Sequence, residues 1–522
     1  MDKKQRAIWP MNKVFAGWVS IPWYPLVFAA YPILALLASN IQQTEMQVVS
    51  RPLLISWAGS LLLLLALRLF IRDWHRAAFS TTMLILLFFT YGHIYNYLKI
   101  TSIFGLMLGR HRLLLSIWVV LAVLATSGGL WKSVNFRDQN RSFNVIAFVL
   151  LAFPLYTIGT HLISKHEISS SDSQPVQILT VTEGQPLPDI YYIILDSYTR
   201  SDVLKSTYQY DNSAFTNDLR DMGFYVADCS TSNYMWTRLS ISSTLNMHYL
   251  QDIPAYMAAS DKETVSEDLL KHSLLRKTLE SLGYRTVAFA TGFPFNEITD
   301  ADIYLEPPPI MENIREFDGL VVQTTLLRVP QDFGLIYINQ TVTARYRDRA
   351  LFALAEFDDL ADMGGPKFVY IHLIPPHPPF VFGPNGEYLD PFEFVIAENA
   401  YTSNTYSQGY LDQVTFISNE ITQSIQTLMA ESPVPPVIVI QGDHGPWKQV
   451  GENRVSILNA YYLPGHEDAV YPSISPVNTF RIVLDEYFNG DYPLLDDVSY
   501  NSPYANLYDF TVQSTSCGNA QR

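Results

Sequence analysis

Cysteine is nearly absent: the 522 residues hold two, Cys229 and Cys517. Two thiols are too few for a disulfide framework or a cysteine-based zinc cluster, and they leave the redox compartment open. Acidic residues are scarce at the start, where residues 1–165 carry 4 Asp+Glu against 15 Lys+Arg, a net of +11. Basic residues are scarce afterwards, where 19 Lys+Arg face 46 Asp+Glu, a net of −27. So acidic a segment excludes a nucleic-acid partner, because phosphate backbones are bound by clustered Lys and Arg. No internal repeat is present.

What fills the first 165 residues is apolar sequence. Five long stretches run from Phe15 to Ser39, Leu53 to Ile71, Ala77 to Leu98, Leu113 to Trp131 and Phe143 to Ile163. Each is near the roughly 20 residues that a helix needs to cross a bilayer. A signal peptide would be one short run, not five. Lys3, Lys4, Arg6 and Lys13, then Arg72 and Arg76, then Lys132, Arg137 and Arg141 mark alternate connections. By the positive-inside rule these are cytoplasmic. The other loops hold Arg51 and, further on, Lys99, Arg110 and Arg112, which narrows the contrast without reversing it. Five spans then put everything after Ile163 outside the cytoplasm. Near the outer end of the third stretch, Tyr91-Gly92-His93-Ile94-Tyr95-Asn96-Tyr97 gathers polar-tipped rings. They suit an ordinary aromatic belt, or a lipid headgroup site in which His93 is the residue to watch.

Residues 164–188 are rich in Ser, Gly and Pro and read as a linker between a transmembrane domain, 1–163, and a second domain, 189–522. Strand patterns at Ile190–Leu195, Phe224–Ala227, Arg285–Ala290, Lys367–Leu373, Pro436–Ile440 and Ile457–Leu463 alternate with helical ones at Ala214–Met222, Glu267–Leu282, Ala344–Met363 and Leu411–Met429. That alternation predicts an α/β domain with a mostly parallel sheet between helices.

Polar clusters follow several of these strands. Val437-Ile438-Val439-Ile440 is a buried-strand run that enters Gln441-Gly442-Asp443-His444-Gly445, placing a carboxylate beside an imidazole at a strand end. Ligands of open α/β sheets bind beyond the carboxyl ends of strands, so this is a candidate metal site. Read alone, Asp443 also suits an Asx-type turn with a solvated His444. The first strand ends at Asp196, a second candidate ligand or a simple turn cap. Between Ser230 and Asn246 hydroxyl residues crowd the start of a helix near Thr237. They can cap it; a hydroxyl there, beside a divalent cation, can also act as a nucleophile towards phosphorus or sulfur. The loop His372-Leu373-Ile374-Pro375-Pro376-His377-Pro378-Pro379 holds two histidines in a proline-stiffened segment suited to an anion or a second metal.

In this order, Asp196, Thr237 with Ser240 three residues on, the His372/His377 loop and the late Gly442-Asp443-His444-Gly445 resemble the alkaline phosphatase/sulfatase superfamily. More narrowly, the chain resembles its membrane-bound branch, the lipoteichoic acid synthases and lipid A phosphoethanolamine transferases. The resemblance covers essentially the whole chain. It implies an N-terminal all-α transmembrane bundle of five spans and an extracytoplasmic alkaline-phosphatase-like catalytic domain at a plasma (inner) membrane. Carried over by position, it makes Thr237 the nucleophile, assigns the metal to Asp196, Thr237, Asp443 and His444, and sets His372 and His377 against the transferred group or a second zinc. It further implies a phosphothreonine intermediate, a membrane lipid donor and an envelope lipid or glycan acceptor. Arg200 and Lys448 are further candidates to face the anion, and His466 is the only later histidine.

The sequence also departs from the pattern. The Cys/Ser-x-Pro-x-Arg signature of formylglycine sulfatases does not occur, and Cys229 is followed by Ser-Thr-Ser. One fewer carboxylate and one more imidazole than in sulfatases shift the expected ion from calcium towards manganese or zinc, with magnesium and calcium as further options. A phosphate or sulfate ester hydrolase would use the same residues with a different acceptor. A non-catalytic membrane scaffold would require the four metal-site side chains to lie apart.

Overall fold

The computed structural model describes residues 21–41, 46–99, 109–128, 136–168, 186–259, 261–308, 314–389, 403–449, 451–503 and 506–515, with a few isolated positions between them. Lys3, Lys4, Arg6, Lys13, Lys132, the start of the first apolar stretch, the serine run 169–173 and Cys517 lie outside the described residues. The chain divides into two compact units: Met1–Ile163 with Asn313–Asn339, and Ser164–Glu312 with Gln340–Arg522. Residues 313–339, which fall inside the sequence range expected for the second domain, therefore join the first unit.

In the first unit each apolar stretch forms a helix: α1 Tyr24–Ser39, α2 Ser50–Ile71, α3 Trp74–Lys99, α4 His111–Gly128 and α5 Phe136–Ile168. Met46–Ile71, Trp74–Lys99 and Phe136–Ile163 are long and apolar enough to cross a membrane, while Tyr24–Ser39 and His111–Ser127 are apolar but shorter. The physical reason is length. The 16 residues of α1 rise about 24 Å at 1.5 Å each, against a hydrocarbon core of about 30 Å. Five spans were expected; three meet the requirement among the described residues.

Two short helices from the later segment, α7 Glu316–Thr324 and α8 Arg328–Asp332, complete this unit. Helix α6, Thr237–Asn246, belongs to the second unit. Gly92 on α3 permits the approach of α7, because a Cβ there would collide with the backbone of Gln323 and Thr324. Leu326 N–H donates to the Phe88 carbonyl at 2.9 Å. The aromatic motif on α3 faces this segment through a polar chain. Tyr91 Oη lies 2.7 Å from His111 Nδ1, and His111 Nε2 lies 2.8 Å from Asp332 Oδ2. Arg328 pairs with the same carboxylate at 3.0 Å, bonds Asn96 and lies 4.5 Å over the Tyr95 ring. His93, the residue singled out from sequence, is exposed instead; Tyr91, Tyr95 and Asn96 make the contacts.

The second unit is an α/β domain around a seven-stranded sheet. Its strands are β1 Ile190–Leu195, β2 Tyr225–Val226, β3 Arg285–Phe289, β4 Ile303–Leu305, β5 Lys367–Leu373, β6 Val437–Gly442 and β7 Asn459–Tyr462, in the order β2-β7-β6-β1-β5-β3-β4. The pairs β1 to β5, β1 to β6, β5 to β3 and β3 to β4 are parallel, and β7 is antiparallel to both neighbours. The near-continuous apolar runs of β1 and β6 follow from burial on both faces. Alternate residues feed two cores: Tyr191, Ile193, Leu195, Ile438 and Ile440 join one with Tyr410 and Ile417 of α9, Ser403–Glu431. Ile190, Tyr192, Ile194, Val437 and Val439 join the other with Leu245 of α6 and Phe480 of α10, Pro476–Phe488.

Edge strand β4 and helix α10 were not foreseen. The single helix expected over Glu267–Leu282 is two, Lys262–Lys271 and Leu274–Ser281, because the Ser273 hydroxyl caps a new start by accepting from Arg276 N–H. The helix expected over Ala344–Met363 is likewise two, Ile338–Ala355 and Phe357–Asp362.

Gly92→Ala should loosen α7 from α3 at a cost of about 1–3 kcal/mol, the usual range for overpacking. The full chain in detergent should unfold at lower temperature and be cleaved faster within residues 314–339. Gly159→Ala, where a Cβ meets nothing, should change neither.

Candidate functional site

The sheet order brings the strand ends together. Leu195 pairs with Gly442 on one side and with Leu373 on the other, so Asp196 and Asp443 leave adjacent parallel strands at the same level. His372 lies opposite Ile194, one residue from the end of β5. Thr237 opens α6, whose N-cap residue Trp236 supplies no side-chain cap. Beyond Asp196 the chain turns sharply, with Ser197 at φ 65° in the left-handed region. For a non-glycine residue that conformation is held only by its surroundings, and here the hold is Asp443.

Asp443 divides its oxygens. Oδ1 accepts from the backbone N–H groups of Ser197 and His444, both at 2.9 Å. Oδ2 is buried with no hydrogen-bond partner. His444 is fixed just as firmly. Its Nδ1 lies 2.9 Å from the Gly445 carbonyl, which can only accept, so Nδ1 carries the hydrogen and Nε2 carries the lone pair. That Nε2 lies 3.0 Å from Thr237 Oγ1 and 3.4 Å from Asp443 Oδ2. Two electron-pair donors, Nε2 and Oδ2, thus face each other with no hydrogen to share. A cation between them resolves the repulsion.

Asp196 completes the group. Its Oδ1 accepts from Ser197 Oγ at 3.1 Å, and its Oδ2 lies 3.3 Å from His372 Nε2. One ligand atom each from Asp196, Asp443 and His444 fall within 4.8 Å of one another, and all three residues are buried. The residues present therefore fit a divalent cation held by two carboxylates and an imidazole, with the Thr237 hydroxyl alongside. Protonation states agree. Burial opposes ionisation of Asp196, but His377, then His372 and His444, outweigh it and hold its carboxyl well below the usual range. Burial, with Arg454 adding to it, pushes the His444 imidazole down against the pull of Asp443 and Asp196. Anionic carboxylate and neutral imidazole are the forms that bind a metal.

The remaining sequence candidates divide. His372 accepts at Nδ1 from the Asn296 amide at 2.7 Å, so its hydrogen sits on Nε2, a buried atom with no hydrogen-bond partner beside Asp196. His377 is half-buried; its N–H donates to the Asp196 carbonyl at 3.1 Å and its Nδ1 lies 2.6 Å from the Pro378 carbonyl. Ser240 is buried one turn along α6. Arg200 does not face the cluster: it pairs with Asp202 at 2.7 Å and donates to the Ser230 carbonyl. Lys448 lies 5.5 Å over the Tyr406 ring, and His466 is a surface partner of Glu486 at 2.7 Å.

Sequence reasoning missed Asn296 and Arg454. Arg454 is buried, bonds the Gly445 carbonyl that fixes His444, and lies against both the Trp236 and Trp447 rings, 5.4 and 5.6 Å from their centres, which pack against each other at 5.4 Å. Nothing in its local sequence marks it, since it acts through residues far away in the chain. Cys229 is disulfide-bonded, and the sequence holds one other cysteine, Cys517.

No family model and no curated protein matches the chain. Among solved structures it is similar to the C-terminal periplasmic domain of EcEptC from Escherichia coli, at TM-score 0.44 and 12% identity over 66% of this chain and 97% of that one. It is also similar to the integral membrane protein lipooligosaccharide phosphoethanolamine transferase A from Neisseria meningitidis, at TM-score 0.41 and 12% identity over 89% and 94%. A protein in the alkaline phosphatase superfamily from Vibrio parahaemolyticus gives TM-score 0.39 and 12% identity over 68% and 85%.

Elemental analysis of the full chain, purified without chelator and supplied with manganese or zinc, should find about one ion per chain, lost in Asp443→Ala because the free ligand oxygen goes with it. Equal metal content in the two proteins would remove Asp443 from the ligand set.

Proposed function

We propose that this chain is a membrane-anchored, metal-dependent phosphotransferase. Thr237 takes a phosphoryl-linked headgroup, of phosphoethanolamine or phosphoglycerol type, from a membrane lipid and passes it to an envelope lipid or glycan. The observation that carries the reading is the Thr237 hydroxyl at 3.0 Å from the lone-pair nitrogen of His444, inside a buried Asp196/Asp443/His444 group. Asp196, Asp443 and His444 would hold manganese or zinc, and the bound ion would lower the pKa of the threonine hydroxyl and offset charge on the phosphoryl oxygens.

The protein's own groups account for the rest. Thr237 Oγ1 forms a bond to phosphorus while the bond from phosphorus to the lipid oxygen breaks, leaving the lipid as its alcohol and the headgroup as a phosphothreonine. Attack by an acceptor hydroxyl reverses the sequence and frees Thr237. The uncapped N-terminus of α6 offers backbone N–H groups to an anion at its first residue. His372 Nε2–H, its hydrogen fixed on that atom by Asn296 and lying beside Asp196, is a donor for a phosphoryl oxygen. His377 stands beside Asp196 as a second contact. The hydrolase alternative uses the same first step with water as acceptor. A disulfide at Cys229 fits an extracytoplasmic catalytic unit, since disulfides persist in oxidising compartments.

Incubated with membrane lipid and manganese, the wild-type chain should gain a phosphoryl adduct on Thr237, read by peptide mass spectrometry. Thr237→Ala should gain none and lose roughly a thousandfold or more in transfer rate, the order seen when a covalent nucleophile is removed. Failure to trap any adduct in a metal-loaded protein would overturn the phosphothreonine step and leave binding without turnover, or hydrolysis without a covalent intermediate, whereas an adduct with loss of donor and no transfer product would favour the hydrolase.

Asn296→Leu frees the His372 ring to change tautomer. Turnover should fall about 10- to 100-fold, as for other groups that orient a site histidine, with metal content unchanged; a parallel loss of metal would make His372 a ligand instead.

A further inference from the structure

The first unit contains a cavity of about 630 Å³ between α2, α3, α4 and the α7 segment. Its walls are apolar along α2 from Ile55 through Gly59 to Leu63. The two serines on this wall turn their hydroxyls away, Ser56 to the Ala29 carbonyl at 2.7 Å and Ser60 to that of Pro25 at 3.3 Å. One end is charged: Arg51, in the first turn of α2, pairs with Asp318 of α7 at 2.6 Å. Arg51 stays 40% exposed, and only one of the five guanidinium N–H donors is needed for that contact.

Dimensions select the occupant. From Arg51 to Leu63 the helix rises about 18 Å at 1.5 Å per residue, close to the ~15 Å of hydrocarbon in one leaflet. Spread over that length, the cavity volume gives a mean cross-section of roughly 35 Å², against about 80 Å² for a helix of ~10 Å diameter. A transmembrane helix or a second copy of this chain does not enter it; a hydrocarbon chain does. The charge pattern of the chain places the loop bearing Arg51 at the outer face.

We propose that this cavity binds one phospholipid of the outer leaflet, with an acyl chain along Gly59 and its phosphate on the free donors of Arg51. It lies wholly within the first unit, which holds none of the metal-site residues, and it does not depend on the transferase reading. Gly59 makes the site testable, because a Cβ there meets nothing within 4 Å. A leucine therefore fills the slot without displacing backbone, and it improves the helix.

The test is native mass spectrometry of the full chain in mild detergent, with EDTA present so that the metal centre contributes nothing. The probes are a dioleoyl phospholipid and the diacylglycerol with the same chains. Wild type and Gly159→Leu should each retain one phospholipid in preference to diacylglycerol. Gly59→Leu should lose about tenfold in retention, the equivalent of about two methylenes excluded from the slot. Arg51→Gln should still retain lipid but no longer prefer the phosphate. Equal retention by wild type and Gly59→Leu, equal uptake of the two lipids by wild type, or an unchanged preference in Arg51→Gln would each overturn the assignment.

Discussion

Asp443 is the residue on which the site depends, because its carboxylate does two incompatible things with its two oxygens. One oxygen gathers the backbone N–H groups of Ser197 and His444 and so locks the turns after β1 and β6 to each other. The other is buried without a partner. Burying a polar atom unsatisfied costs free energy unless something arrives to satisfy it. The fold tolerates that cost just past the carboxyl ends of β1 and β6, which is where a cation site is expected rather than a structural turn.

Around that oxygen the imidazoles are sorted by their far sides. Gly445 takes the hydrogen of His444 Nδ1 and leaves Nε2 as a lone pair, while the Asn296 amide donates to His372 Nδ1 and leaves Nε2 as a donor. The two rings thereby present opposite chemistry at Nε2, a lone pair on His444 and an N–H on His372. Arg454 belongs to the same logic. It grips the carbonyl that sets His444 while two indole rings cover its guanidinium, so its charge lowers the His444 pKa.

The first unit is more than an anchor. A segment of the later chain returns to it, and the return is built with specific chemistry: a glycine where two backbones meet, a Tyr91 to His111 to Asp332 chain, and Arg328 over Tyr95. Within an apolar bundle such polar groups are costly unless each finds a partner. The segment supplies those partners and closes one wall of the lipid-sized cavity.

Much was legible in the residues because the signals were local. The apolar runs fixed five helices and the period of the strands, and β1 and β5 have the bounds their β-rich runs predicted. Asp443 and His444, and more weakly Asp196, stood out because each follows a strand run, a placement that hydrophobic pattern reveals. Thr237 was one of many hydroxyls near a helix start, and the family resemblance singled it out. What the sequence could not decide was adjacency. That Asp196 and Asp443 share a site follows from β6 pairing with β1, a long-range choice made by the packing of two cores. The same holds for Arg200, drawn aside by Asp202, for Asn296 and Arg454, whose roles exist only through partners distant in the chain, and for residues 313–339, whose place in the first unit rests on contacts no local propensity encodes. Chain chemistry set which groups were available; strand order and burial set which of them meet.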